Sequence, residues 1–146
     1  MSKFRLRCKL MNIRCWNVRT LLDNDCLKSH PERRSALVAK ELQRYDTDIA
    51  ASAETRIHGK GNFVEKSAGY HLFWSSREET YKRESGVGFA MKTTLVSNLE
   101  ELPCSNSDRL MSSRLPLRKG RYATLISAYA PTIFIQNPPV QSSKAI

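Results

Sequence analysis

The sequence predicts an α/β domain, and three stretches carry that prediction. Residues 10–18, "LMNIRCWNV", alternate between two faces; "SHPERRSALVAKELQRY" repeats apolar residues at helical spacing; "DIAASAETR" is a short run of small apolar residues ending at a carboxylate. Strand, helix and strand in this order form a βα unit whose two strands lie parallel. At 146 residues the chain has room for one substantial core and not for a second full domain.

Taken in order, the first strand puts Met11, Ile13 and Cys15 on one face and Asn12, Arg14 and Trp16 on the other, with Trp16 implying that the second face is partly covered. The cover is the helix that follows. Ser29 precedes Glu32 at capping-box spacing and Pro31 fits a first turn, after which Leu37, Val38, Leu42 and Tyr45 share a stripe. Ile49 to Ala53 is then a strand buried on both faces. After a Gly-bearing loop, "HGKGN", comes a strand in "AGYHLFWSS" with Tyr70, Leu72 and Trp74 on one face. "REETYKRE" is a solvated connection, and "SGVGFAMK" a strand whose Gly86 and Gly88 mark close backbone approach or a bulge. "NLEELPCSNSD" reads as a loop. "DRLMSSRLPLRKGRYATLISAYAPT" reads as a hairpin turning at Arg118 to Gly120, with Pro116 near a strand end. One clear helix among about six strands results, with a basic leader over 1–9 and a loosely ordered tail over 133–146.

Twenty-four Lys and Arg against 14 Asp and Glu leave a formal charge of +10, which favours DNA or another phosphate-bearing partner. No basic run is long enough to be a dedicated polyanion arm. The apolar stretches are too short for a membrane helix, and the start lacks the apolar core of a secretory signal, although a mitochondrial leader stays open. Cys8, Cys15, Cys26 and Cys104 show neither a C-x-x-C pair nor zinc spacing, so they read as reduced, mostly buried thiols of a nuclear or cytoplasmic protein.

Three polar side chains stand at predicted strand ends: Asn17, Glu54 and Tyr129. The carboxyl ends of strands in layered α/β folds are where loops open into a site. A carboxylate such as Glu54 suits Mg²⁺, which takes one or two carboxylates and completes its shell with water and phosphate. The Asn17 amide oxygen can ligate or orient metal-bound water, and the Tyr129 hydroxyl can donate to a phosphate oxygen. Each residue also has an ordinary reading as a turn or cap, a surface ion pair or a buried hydroxyl. His30, His58 and His71 read as structural or surface residues.

Four segments in order, "WNVRTL", "DIAASAETR", "GVGFAMK" and "DRLMSSRLPLRKGRYATLISAYAPT", resemble the endonuclease/exonuclease/phosphatase superfamily. Within it they are most similar to the apurinic-type endonuclease domain of LINE-type (non-LTR) retrotransposons and to craniofacial development protein 2-like proteins. The likeness covers roughly Asn12 to Thr132, within a partial domain over 10–132. It implies a four-layer α/β sandwich and Mg²⁺-dependent hydrolysis of a DNA phosphodiester, with Mn²⁺ as the substitute ion. Asn17 matches the family's active-site asparagine, Glu54 its metal-binding glutamate and Tyr129 the tyrosine that contacts the scissile phosphate.

The chain departs from that pattern after Pro131. No Gly-Asp-Phe-Asn stretch and no closing Ser-Asp-His follows, so the group that would activate water is missing and one carboxylate would hold the metal weakly. Loss of cooperating catalytic groups costs orders of magnitude, which predicts little or no turnover by this chain alone. The resemblance also assigns the second sheet to the missing part, predicting strands whose apolar faces lack a partner. The resulting expectation is a truncated endonuclease domain. A non-catalytic nucleic-acid-binding module and a retrotransposon remnant without selected function are the alternatives.

Overall fold

The computed structural model describes residues 10–19, 21, 34–78 and 85–130. Its elements are β1 (Ile13–Asn17), α1 (Arg34–Arg44), β2 (Ile49–Ala53), β3 (Lys60–Glu65), β4 (Tyr70–Ser75), β5 (Val87–Lys92), α2 (Thr93–Val96), β6 (Cys104–Ser107), β7 (Leu110–Pro116) and β8 (Tyr122–Ala128). A 3₁₀ turn, Arg118–Gly120, joins the last two strands, with Lys119 and Gly120 both at positive φ.

Two sheets result. The first runs β1-β2-β5-β4-β3, and the second runs β6-β7-β8. β1 and β2 are parallel as the βα order requires, while β2-β5, β5-β4 and β4-β3 are antiparallel. Between the sheets, Ile49, Phe73, Val87, Phe89 and Met91 of the first pack with Met111 and Leu115 of the second and with Leu95 of α2. On the opposite face of the first sheet, Ala50, Tyr70, Leu72 and Ala90 pack with Ala39 and Leu42 of α1. The inner strands β2, β5 and β4 are therefore covered on both faces, while β1 stays exposed along its length. These inner strands do not lack a partner, contrary to the expectation from the resemblance, because "PCSNSDRLMSSRLPLRKGRYATLISAYA" builds a second sheet within this chain; Ile13 of β1 and Ile126 on the outer face of β8 do stay exposed.

Glycine at 88 permits this packing. β5 is central, and a Cβ at Gly88 would collide with the Phe73 carbonyl oxygen and lie 2.8 Å from the Ser52 hydroxyl. The pairing of β5 is regular on both sides, so the glycine serves close approach and not a bulge.

Several local expectations need correction. β3 occupies part of what reads as the "HGKGN" loop, and β6 and α2 arise within segments expected to be irregular. These bring the described strands to eight. On α1 the buried stripe is Ser35, Ala39 and Leu42, whereas Leu37 is 48% and Tyr45 50% exposed. Position 37 lies about 100° around the helix from 38, which points it off the stripe. Tyr45 instead carries the guanidinium groups of Arg14 and Arg44 over its ring, at 5.2 and 5.1 Å. Cys15 and Cys104 are exposed free thiols, not buried ones, because both lie on edge strands. The helix start at 29–33, Cys8 and Cys26, His30, the leader and the tail lie outside the described residues. No helix among the described residues is long and apolar enough to cross a membrane.

Candidate functional site

The parallel register sets Asn17 opposite Ala53, so the first two strands finish together and Glu54 follows one residue later. At that edge the Asn17 amide donates from Nδ2 to Glu54 Oε1 at 2.8 Å. The Tyr129 hydroxyl, arriving from the end of β8 in the other sheet, donates to the same oxygen at 3.1 Å. One carboxylate oxygen thus gathers side chains separated by 37 and 75 positions in the chain. All three sequence-derived site residues meet at one rim.

Residues that the sequence reading passed over complete the rim. Arg56 reaches Glu54 Oε2 from Nη2 at 3.3 Å, and the Arg19 main-chain N–H donates to Asn17 Oδ1 at 3.0 Å. Each arginine lies two residues beyond a predicted site residue, in the segments that leave β1 and β2. Arg109 lies under Tyr129, with its guanidinium carbon 5.4 Å from the ring centroid. The hairpin register supplies the signal for it: Leu110 pairs with Ala128, which sets Arg109 beside Tyr129.

Backbone geometry singles out the same edge. Arg19, Glu54 and Arg56 have φ of 59°, 56° and 54°, in the left-handed region that side chains seldom occupy. Such conformations cost on the order of 1 kcal/mol or more each and persist where surrounding contacts over-determine them. Here the Leu21 N–H donates to the Thr55 carbonyl at 2.8 Å and the Val18 N–H to the Ala53 carbonyl at 3.1 Å, fixing both strand exits.

The Glu54 carboxyl is held below the usual carboxylate range, chiefly by the Asn17 amide. Burial opposes this, and the Tyr129 hydroxyl with the charges of Arg56 and Arg19 reinforces it. Glu54 is therefore an anion at neutral pH in a cationic setting. No protein-family model matches the chain, and no curated protein matches it.

As a cation site the rim is sparse. Among the described residues no three His, Cys, Asp or Glu side chains cluster as metal ligands. Glu54 Oε2 accepts one long bond and Asn17 Oδ1 one main-chain bond, so both oxygens retain lone pairs for a hard ion such as Mg²⁺ or Mn²⁺. The donors fit in kind, but they supply one negative charge, so a phosphate would have to complete the shell.

Of the histidines expected to be structural or surface residues, His71 donates from Nε2 to Asn62 Oδ1 at 2.9 Å and stacks on Phe73. Burial pushes its pKa down. His58 lies in the segment between β2 and β3.

Proposed function

We propose that this chain is a partial DNA endonuclease domain of the endonuclease/exonuclease/phosphatase type, the first part of a four-layer sandwich. It grips a phosphodiester at the Glu54 rim and turns it over slowly or not at all. The observation that supports this reading is the convergence of Asn17 and Tyr129 on a single oxygen of Glu54 from three strands in two sheets. Two uncharged donors aimed at one partly exposed carboxylate, with Arg19 and Arg56 beside it, suit a site that exchanges partners with a ligand.

In this reading Glu54, assisted by the Asn17 carbonyl oxygen, would hold Mg²⁺ or Mn²⁺. When bound, the ion supplies charge stabilisation to the phosphoryl oxygens. Tyr129 directs its hydroxyl to the phosphate, and Arg19 and Arg56 offset its charge. Asn17 orients Glu54. The chain has no histidine beyond His71 and no Gly-Asp-Phe-Asn stretch, so it brings no residue of the family's water-activating kind.

A second reading, a nucleic-acid-binding module without hydrolysis, draws support from the two arginines around one carboxylate and from the net charge of +10. Two measurements separate them. Binding of a fluorescein-labelled duplex is expected to weaken steeply with salt and to respond to Glu54→Ala. Supercoiled plasmid with Mg²⁺ is expected to stay intact or to be nicked very slowly. Nicking lost in Glu54→Ala would favour the nuclease reading, and duplex binding indifferent to both salt and Glu54 would sink both.

A further inference from the structure

We infer that Arg109 is a positioning residue for Tyr129, holding the phenol ring where its hydroxyl meets Glu54 and, on the reading just proposed, a phosphodiester oxygen. The main chain makes the first link: the Tyr129 N–H donates to the Arg109 carbonyl at 3.0 Å, one step beyond the last paired residues of β7 and β8. The side chain makes the second, because the guanidinium lies over the Tyr129 ring at 5.4 Å, within the range where a cation is attracted to an aromatic face.

What the guanidinium lacks is as informative as what it touches. Arg109 Nη1 is buried and has no protein acceptor. Arg109 Nε forms a long ion pair with Asp108 Oδ2 at 3.9 Å, too far for a hydrogen bond. That carboxylate is already taken by Arg77 Nε at 2.9 Å and by the Ser85 hydroxyl at 3.0 Å. An arginine serving only as a surface ion-pair partner would take a carboxylate or carbonyl in its fork. This one leaves part of the fork unmatched and keeps its planar group against a tyrosine.

Its base is fixed on both sides. The Arg109 N–H donates to the Ser107 hydroxyl at 3.1 Å, and Asp108 is anchored through Ser85 to the segment that leads into β5. The cation is therefore a fixed platform on which a partly exposed ring settles. Without it, Tyr129 keeps its main-chain bond and its packing against the core between the sheets but loses the cation that holds its ring toward Glu54.

The test uses the full chain labelled with 3-fluorotyrosine, the Tyr129 resonance being assigned by its loss in Tyr129→Phe. Arg109→Met keeps the packing stem and removes the cation; Arg109→Lys keeps the charge. The Tyr129 fluorine signal is expected to move toward that of free 3-fluorotyrosine in Arg109→Met and to return part-way in Arg109→Lys. A cation on an aromatic face contributes about 0.5–1 kcal/mol at exposed sites, so duplex binding is expected to weaken about two- to fivefold in Arg109→Met.

In a Tyr129→Phe background the same substitution is expected to add less than about twofold, because a positioning residue acts through the group it positions. An unmoved fluorine signal in Arg109→Met overturns the inference. So does a full additive loss of binding, which would mean that Arg109 meets DNA directly. If the wild-type chain binds no duplex, the proposed function fails, while the fluorine signal alone still decides the role of Arg109.

Discussion

Ser127 and Ser52 join the two sheets through a buried hydrogen bond: the Ser127 hydroxyl donates to the Ser52 carbonyl at 3.3 Å. Two residues beyond each partner stand Tyr129 and Glu54, themselves bonded at 3.1 Å. This bond ties β2 to β8 two residues before the site on each strand.

Ser127→Ala is accordingly expected to lower stability by about 1 kcal/mol, the usual net worth of one hydrogen bond. Urea unfolding measures this as a shift in midpoint at constant slope. Duplex binding by the folded variant is expected to weaken as well. Unchanged stability together with unchanged binding would mean that the spacing of the sheets is set by the apolar core alone.

Acid should weaken the fold through Glu54. Its pKa in the folded chain lies below the ordinary value, so its ionised form contributes stability that is present above the unfolded pKa and lost as pH falls through the folded one. Between about pH 6 and about pH 3 the wild type is expected to lose more unfolding free energy than Glu54→Gln, the difference isolating this carboxylate from the other acids. Parallel pH profiles for the two proteins would refute the assignment.

Gly88→Ala is expected to cost at least about 2 kcal/mol, the scale of overpacking in a core that cannot yield. The Cβ would meet main-chain oxygen of a neighbouring strand, which has no rotamer by which to retreat. Thermal unfolding is the measurement, and a fall in Tm smaller than about 4 °C would show that the first sheet relaxes more than its geometry suggests.

At the outer edge of the second sheet, Ile126 is 61% exposed and shares its face with the exposed side chains of Tyr122 and Leu110. β8 carries no charge or proline and is the last strand in that sheet among the described residues. Uncovered apolar edges of this kind promote strand addition by other molecules. Ile126→Lys is expected to leave stability within about 0.5 kcal/mol while reducing light scattering in concentrated solution. Scattering that stays high would place the self-association elsewhere, for instance on the exposed Ile13 of β1.

Local chemistry made much of this molecule readable in advance. Alternation in "NIRCWNV", helical spacing in "SALVAKEL", small residues in "IAASA" and the glycine turn at "RKG" each act over a few neighbouring residues, so β1, α1, β2 and the β7-β8 hairpin follow from the chain itself. The βα order likewise aligned Asn17 with Glu54. "KGNFVE" and "CSNS" have no such signal; they are strands because β4 and β7 offer them ladders, and edge pairing depends on the partner more than on the residues paired. Arg109 meets Tyr129 through the register of the β7-β8 hairpin, but Tyr129 reaches Glu54 only because Met111 and Leu115 dock the second sheet on Phe73, Phe89 and Met91. That contact is a sum of many weak apolar interactions between segments far apart in sequence, and it comes into being only when the whole core closes.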